Sequence, residues 1–222
     1  MRLMQFADSA LPVGGFSFSN TLESAIEMGV VYDEKSLTEF TREIVRQAAS
    51  TDGVAALNAF RAAENGDYQS IIRCDKALNA RKANTEQRLM SQRMGRKLAE
   101  LFAEITDNDL LRRFCGDIAS ARTSGTYAVT QGVAFAICEI GERELFSAVC
   151  YGAASMVLNA ALRTMRITHR QTQWIIFELG DEIGVMYNEV AGLNIEQMPS
   201  FYPQIDILAA IHEKGTKRLF MN

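Results

Sequence analysis

Apolar residues recur at helical spacing through the long middle of this chain. Three such runs, each on one face of a helix, comprise Leu37, Phe40, Ile44 and Ala48, then Met90, Met94, Leu98, Leu101 and Ile105, then Ile175, Leu179, Ile183, Met186 and Val190. The alternation of apolar and polar residues that marks a strand is sustained nowhere. The prolines, which break helices most strongly, stand only at Pro12, Pro199 and Pro203. The pattern therefore predicts an all-helical body.

Polar residues and glycines divide this body into eight to ten predicted helices. The breaks fall around Asp33, Asn65 to Asp67, Thr106 to Asp109, Thr123 to Thr126 and Gly141 to Arg143. Each connection is short, and no repeat period or low-complexity linker is present. The 222 residues are therefore expected to form one compact domain spanning 1–222.

The run from Phe146 to Leu162 carries no charged residue, which makes it a candidate membrane span. Its length is marginal for crossing a bilayer, and charged residues stand close to both of its ends. It is also rich in alanine and contains Gly152, and small residues let neighbouring helices approach closely. We interpret it as a buried central helix, and we expect no membrane partner.

Composition narrows the class of protein. Apolar residues make up 48% and charged residues 23%, which excludes a disordered chain, and the net charge of −4 argues against nucleic-acid binding.

The four cysteines are widely spaced and form no CxxC pair, so structural zinc is not predicted; they are Cys74, Cys115, Cys138 and Cys150. Isolated thiols in helices indicate a reducing compartment, and the first residues lack the pattern of a secretory signal. We expect a cytoplasmic protein.

One basic cluster stands out in this acidic chain. Arg81 and Lys82 precede a predicted helix from about 83 to 105, which carries Arg88, Arg93, Arg96 and Lys97. The cluster is either a solvated polar face or a surface that attracts an acidic partner or phosphate. Gly95, within the same helix, costs about 1 kcal/mol relative to alanine and so predicts a close helix contact there.

No pattern of residues marks a catalytic or metal centre. The two histidines, His169 and His212, are far apart, and neither forms a helical ligand pair. There is no Ser-His-Asp set, glycine-rich phosphate loop or HExxH motif. We therefore expect neither catalysis nor a bound metal. A small hydrolase that uses Asp8 and Glu23 remains as an alternative.

The segment from Ser9 to Glu23, SALPVGGFSFSNTLE, has an unusual composition. Pro12 fixes one backbone angle while the Gly14–Gly15 pair frees two others, which predicts a sharp, close-packed turn. Either a core-filling turn or an element that docks onto a partner fits this composition. Ser17 and Ser19 are predicted to cap a helix from about 20 to 29.

The other end of the chain is also informative. In QIDILAAIHEK, Ile207, Leu208 and Ile211 line one helical face, and Gly215 is expected to end this helix in a left-handed cap. A basic and aromatic tail follows, ending in Leu219 and Phe220 before the last two residues. These two side chains either return to the core of the chain or bind a partner.

Three stretches together resemble the UreF family of urease accessory proteins. LPVGGFSFSNTLE is similar to the family signature LPVGxFSYSxGLE, with Phe18 in place of tyrosine and Thr21 in place of glycine. TEQRLMSQRMGRKL, residues 85–98, is similar to a family stretch that reads SxxMGxxL. IDILAAIHEKGTKRLF is similar to the closing pattern DIAxxxHExxYSRLF, with Thr216 and Lys217 in place of tyrosine and serine. The resemblance spans essentially the full chain.

The resemblance implies a helical homodimer that acts as a nickel-insertion chaperone and scaffold in urease maturation. The implied partners are the D-type accessory protein, called H in some organisms, the G-type GTPase and apo-urease. In this scheme nickel is handled by the complex, and the chain itself binds no cofactor. The alternative is a helical regulator of a GTPase unrelated to nickel, in which the basic helix near Arg93 acts on phosphate.

The resemblance and the apolar ends together predict where partners bind. The predicted regions are an N-terminal docking segment, residues 8–23, and a C-terminal tail, residues 204–222. The predicted partner-binding residues are Pro12, Gly14, Phe16, Ser17, Phe18, Glu23, Arg93, Gly95, Gln171, His212, Glu213, Arg218, Leu219 and Phe220. No catalytic or metal-binding residue is predicted.

Overall fold

The computed structural model describes residues 1–8, 10–199, 202–214 and 219–220, and within them every regular element is helical. The α-helices are α1 (Arg2–Ala7), α2 (Leu22–Glu27), α3 (Glu34–Ala48), α4 (Val54–Glu64), α5 (Tyr68–Arg81), α6 (Thr85–Thr106), α7 (Asp109–Ala119), α8 (Tyr127–Ile137), α9 (Glu142–Thr164), α10 (His169–Val190) and α11 (Pro203–Lys214). A π-helical turn, Ala49–Gly53, joins α3 and α4 into one continuous helix. The all-helical prediction is confirmed.

The predicted breaks coincide with helix boundaries, because several of them carry local capping signals. Asp33 caps α3, where its carboxylate accepts a hydrogen bond of 2.8 Å from the backbone N–H of Ser36. Asn108 caps α7 in the same way. The connections that start near Asn65, Thr123 and Gly141 likewise separate successive helices.

Helix α9 lies at the centre of the core, as predicted for the uncharged run. It is long and apolar enough to cross a membrane, but most of that stretch is buried against other helices, as in the core helix of a globular protein. Helices α4 and α8 pack very closely beside it. A Cβ added at Gly132 would lie only 2.3 Å from the carbonyl oxygen of Ala56, so glycine permits this approach.

The predicted apolar stripe on α6 is wrong in its second half. Ile105 is exposed and Leu101 is only half-buried, whereas Phe102 is completely buried. Phe102 lies 100° around the helix from Leu101, and its ring packs against Phe6 with 4.2 Å between the ring centroids. The arrival of α1 at this point, which the sequence of α6 does not reveal, therefore decides which side chain is buried.

The predicted serine caps at the start of α2 are also wrong. Helix α2 begins at Leu22, and its N-cap residue is Thr21, whose side chain makes no capping hydrogen bond; Ser17 lies in a short 3₁₀ turn and Ser19 is buried earlier in the loop. Thr21, at the N-cap position, has a φ of +68°. This left-handed conformation costs a non-glycine residue about 1–2 kcal/mol. Thr21 therefore adopts the left-handed conformation that favours glycine, which is the common residue at this position of the family signature.

Candidate partner-binding site at the chain ends

The two ends of the chain meet at Glu23, in the first turn of α2. One carboxylate oxygen of Glu23 accepts a hydrogen bond of 2.7 Å from the backbone N–H of Leu219, which is 196 positions later in the sequence. The other accepts one of 3.1 Å from the backbone N–H of Phe220. The docking segment and the tail therefore form one site, which we call the chain-end junction: Phe16, Glu23, Glu86, Arg163, His212, Leu219 and Phe220.

His212 holds helix α11 against two other helices. Its ring is almost completely buried, with Nδ1 at 2.7 Å from Oε2 of Glu86 on α6 and Nε2 at 3.1 Å from Oε2 of Glu23 on α2. The next residue, Glu213, accepts a hydrogen bond of 2.8 Å from the side-chain amide of Asn84, the N-cap of α6. Both residues predicted in this part of the tail thus contribute contacts between helices.

The junction keeps Glu23 ionised. Burial raises the pKa of Glu23, but hydrogen bonds from the Leu219 backbone, the His212 side chain and the Phe220 backbone outweigh it, so that the pKa lies below its usual value. A carboxylate that receives this many donors is held in one position. It therefore fixes the tail rather than serving as a free acid or base.

Arg163 of α9 connects the two ends on their outer side. Its guanidinium donates a hydrogen bond of 2.8 Å to the carbonyl oxygen of Phe16 and lies 4.2 Å from the ring centroid of Phe220. Phe220 is only 5% exposed, so of the two alternatives for the tail, its aromatic ring returns to the core. In contrast, Leu219 is 65% exposed and Phe16 is 73% exposed. The junction thus presents two apolar side chains to solvent.

The Gly14–Gly15 turn brings the N-terminal segment onto the body as predicted. Gly14 has a φ of +86°, a left-handed conformation that only glycine adopts readily. A Cβ at Gly15 would lie 3.3 Å from the methyl carbon of Met94 on α6. Of the two phenylalanines that follow, Phe18 is buried and Phe16 is exposed to solvent. Pro12 is exposed at the tip of the turn, and Ser17 is half-buried within the 3₁₀ turn.

Gly95 lies away from the junction, at a contact between α6 and the start of α8. A Cβ added there would lie 2.1 Å from the carbonyl oxygen of Gly125. The close contact predicted at this glycine is therefore confirmed. Arg93 is exposed on the same helix and interacts with neighbouring groups.

Other members of the basic cluster are used within the chain. Lys82 forms an ion pair of 3.0 Å with Asp52, and Arg81 donates a hydrogen bond of 3.0 Å to the carbonyl oxygen of Met198. Arg88 donates to the carbonyl oxygen of Lys82 at 2.6 Å. These contacts favour an architectural role for much of the cluster.

Two further predicted residues lie outside the junction. Gln171 forms a capping box with Thr168 at the start of α10, and its amide donates a hydrogen bond of 2.6 Å to Glu34 on α3. His169 is the first residue of this helix. Arg218 lies outside the described residues, as do Gly215, Thr216 and Lys217. A role in partner binding stays a prediction for every residue of the set.

Sequence reasoning missed Glu86 and Arg163, which complete the junction. Glu86 lies in the first turn of α6 after its Asn84 cap, where an acidic residue is common, so nothing local marks it as a partner for His212. Arg163 lies in the last turn of α9, where a basic residue is equally ordinary. Only the fold shows that both approach the chain ends.

The carboxylates of the hydrolase alternative are engaged in structural contacts. Asp8 accepts a hydrogen bond of 2.9 Å from the backbone N–H of Ala10, and Glu23 binds the tail. In the described ranges, no three His, Cys, Asp or Glu side chains form a group that could hold a metal ion. The chain-end junction therefore joins the two ends of the chain to the helical body and presents an apolar surface.

Comparison with known proteins agrees with the family resemblance seen in the sequence. The family model described as UreF matches residues 31–180. The chain is 49% identical to urease accessory protein UreF 2 of Brucella canis over 222 residues, covering 100% of this chain and 91% of that protein. It is 46% identical to urease accessory protein UreF of Yersinia pseudotuberculosis, again over the whole chain and over 97% of that protein. The chain therefore belongs to the UreF family of urease accessory proteins.

Proposed function

We propose that this chain is a non-catalytic, cytoplasmic scaffold for urease maturation. In this proposal it binds the D-type (H-type) accessory protein through the chain-end junction and recruits the G-type GTPase, so that nickel is inserted into apo-urease. Nickel is carried by the assembled complex, and this chain holds no resident cofactor. Family membership and the exposed apolar side chains at the junction support the proposal.

The main support for the proposal is that Phe16 and Leu219 expose apolar side chains on backbone that is fixed by hydrogen bonds. Both are exposed, yet both lie on backbone that is hydrogen-bonded to the body, Phe16 through Arg163 and Leu219 through Glu23. A pre-organised surface loses less conformational entropy on binding than a free terminus does. Burying a phenylalanine or leucine side chain contributes about 1.5–3 kcal/mol. This pair is therefore suited to anchor a partner.

We expect the double variant Phe16→Ser/Leu219→Ser to weaken binding to the D-type protein by at least about tenfold. The reason is that two apolar side chains no longer become buried at the interface, and about 1.4 kcal/mol corresponds to each factor of ten. Isothermal titration calorimetry with the purified partner measures this change. Circular dichroism should show unchanged helix content, because both side chains are exposed.

Tyr32→Ser provides the matched control, since Tyr32 is an equally exposed large side chain outside the junction. The affinity of the Tyr32→Ser variant for the D-type protein should equal that of the wild type. Unchanged affinity in the double variant would contradict the junction as the binding surface. Binding of the GTPase alone, with no requirement for the D-type protein, would instead favour a GTPase regulator unrelated to nickel.

We further propose that α10 forms the contact between two copies of the chain. Trp174 and Phe177 are 61% and 68% exposed, and their rings stack with 5.9 Å between the centroids. Arg170 and Asp181 lie on the same face at helical spacing. In an antiparallel pair centred between residues 175 and 176, Trp174 meets Phe177 of the second copy, and Arg170 meets Asp181. The face is thus complementary to itself, as a two-fold interface requires.

Charge reversal tests this arrangement. We expect Arg170→Glu or Asp181→Lys alone to weaken the dimer by about tenfold, because each places like charges opposite one another. The double variant Arg170→Glu/Asp181→Lys should restore dimerisation, since the pair is re-formed with its signs exchanged. Sedimentation equilibrium measures the dissociation constant. A double variant no tighter than the single ones would contradict the antiparallel pairing.

A further inference from the structure

We propose that the cavity between α6, α8 and α9 is a binding site for a small, neutral, planar molecule that carries an N–H donor. The cavity has a volume of about 180 Å³, and the π-helical turn between α3 and α4 forms a further part of its wall. A cavity of about 150 Å³ is large enough to bind benzene. The site goes beyond the proposed scaffold function, because it concerns a ligand of this chain alone and requires no partner protein.

Each of the three helices presents one face to the cavity. The lining residues include Met90 and Met94 of α6, Tyr127 and Gln131 of α8, and Gly152 and Met156 of α9. Residues four positions apart lie on the same side of a helix. The π-helical turn adds Thr51 and Asp52, and turns of this kind are frequent at functional sites. Regular helices therefore fix much of the wall of the cavity.

Two buried polar groups of the cavity wall lack a hydrogen-bond partner. Neither the side-chain carbonyl oxygen of Gln131 nor the hydroxyl of Ser155 bonds to any described residue, although these residues are only 3% and 6% exposed. Such groups are costly to bury and are usually satisfied in native structures. The oxygen of Gln131 can only accept a hydrogen bond, whereas the hydroxyl of Ser155 can donate or accept one. A ligand N–H supplies the donor that Gln131 lacks.

Water alone does not suit the rest of the cavity. Most of its lining surface is apolar, and a buried water needs about two to four polar partners. Three of the lining residues are methionines, whose flexible side chains adapt to a ligand and whose sulfur makes favourable contacts with aromatic rings. The methyl carbons of Met94 and Met156 lie 3.3 and 3.8 Å from a Cβ placed on Gly15, so two of these side chains are close together. An aromatic ring is therefore suited to this part of the cavity.

The charged residues of the wall favour a neutral ligand. Asp52 and Lys82 form an ion pair of 3.0 Å and are only 22% and 14% exposed, so they neutralise each other. All five charged residues that line the cavity form an ion pair or a hydrogen bond within the chain, namely Asp8, Asp52, Arg81, Lys82 and Asp206. A charged ligand would lose its hydration without gaining an unpaired counter-charge.

Gly152 leaves open space on the α9 side of the cavity. A Cβ placed there would have no atom within 4 Å apart from its chain neighbours and the backbone of its own helix. A larger side chain at this position therefore occupies the cavity without a clash at its Cβ. Phe16 and Tyr151 also line the cavity and are 73% and 40% exposed, so the cavity reaches the surface and a ligand can enter.

Titration of the full chain with indole tests the site, and indene is the matched probe because it has the same bicyclic shape without the N–H. The ¹³C-labelled methyl groups of the methionines report binding. We expect saturable shifts of the Met90, Met94 and Met156 signals, with a dissociation constant for indole of about 1 mM or lower. Indene should bind about tenfold more weakly, because the oxygen of Gln131 then stays unpaired.

Two variants, each with a matched control, separate this site from non-specific uptake. Gly152→Leu should weaken binding of both probes at least about tenfold by filling the cavity, whereas Gly116→Leu, on the exposed side of α7, should not. Gln131→Met removes the acceptor, so indole and indene should bind equally. Gln69→Met, at an exposed position of α5, should keep the preference for indole.

The Gly152→Leu measurement is decisive even if Gln131→Met does not fold. The proposal would be overturned by the absence of saturable indole binding, or by equal affinities of the unaltered chain for indole and indene. Indole binding that Gly152→Leu leaves unchanged, or a preference for indole that persists in a folded Gln131→Met variant, would overturn it as well.

Discussion

Replacing Gly95 with alanine is expected to lower the free energy of unfolding by about 3 kcal/mol or more, although alanine is ordinarily the better helix former. The added Cβ would lie 2.1 Å from the carbonyl oxygen of Gly125 and 2.7 Å from backbone atoms of Thr126 and Tyr127. Backbone atoms cannot move aside as a flexible side-chain end does. Helix α6 and the start of α8 must therefore separate. Chemical denaturation followed by circular dichroism measures the loss.

Gly116→Ala is the matched control within the same fold. Gly116 lies on the exposed side of α7, and a Cβ placed there would have no atom within 4 Å apart from its chain neighbours and the backbone of its own helix. This variant should gain about 0.5–1 kcal/mol of stability from helix propensity alone. The two substitutions are chemically identical, so their opposite signs isolate the effect of the contact. A stabilised Gly95→Ala protein would show that α6 and α8 do not approach as closely as described.

The helices were predictable from the sequence because their determinants are local. The apolar stripe on α10 and the break at Asp33 both depend on residues a few positions apart, and both are confirmed. The second half of α6 was not predictable in this way. There the choice between Phe102 and Leu101 depends on Phe6 from the other side of the molecule. Threonine itself gives no sign of the left-handed backbone at position 21, because it rarely adopts that conformation; only the glycine common there in the family signature points to it.

The candidate site shows the same division between local and long-range information. The motifs at the two ends identified Glu23, His212 and Phe220 as residues of interest. However, nothing in either motif indicates that Glu23 hydrogen-bonds to Phe220, since 197 positions separate them. Whether an aromatic tail residue is buried or exposed also depends on what the fold places beside it. For Phe220 the neighbouring residue is Arg163, whose place in the last turn of α9 is common for a basic residue and gives no hint of this contact.

The second large effect is expected at Asp75, which is completely buried in α5. One oxygen of its carboxylate accepts hydrogen bonds from the Thr123 hydroxyl at 2.5 Å and from the backbone N–H groups of Ser124 and Gly125 at 2.7 and 2.9 Å. The other accepts from the backbone N–H and the hydroxyl of Thr126, both at 2.6 Å. This single side chain therefore holds the loop that leads into α8.

Asp75→Asn is expected to lower the free energy of unfolding by about 3–5 kcal/mol, because it replaces one accepting oxygen with an N–H donor. The new amide group would face backbone N–H groups that also need an acceptor, and in a buried site no water replaces the lost partner. The destabilisation should extend to the contact with α6, since the same loop supplies the Gly125 carbonyl against which Gly95 packs. Hydrogen exchange at Gly125 and Thr126 should accelerate before the helices unfold.

Asp67→Asn separates this buried role from an ordinary helix cap. Asp67 caps the start of the same helix α5, accepts a hydrogen bond of 3.0 Å from the backbone N–H of Ser70 and lies exposed to solvent. Asparagine caps helices about as well as aspartate, so the free energy of unfolding should change by less than about 0.5 kcal/mol. If Asp75→Asn proved equally mild, the loop before α8 would have to be held by contacts other than this carboxylate. The two substitutions together thus measure how much stability depends on one buried anion.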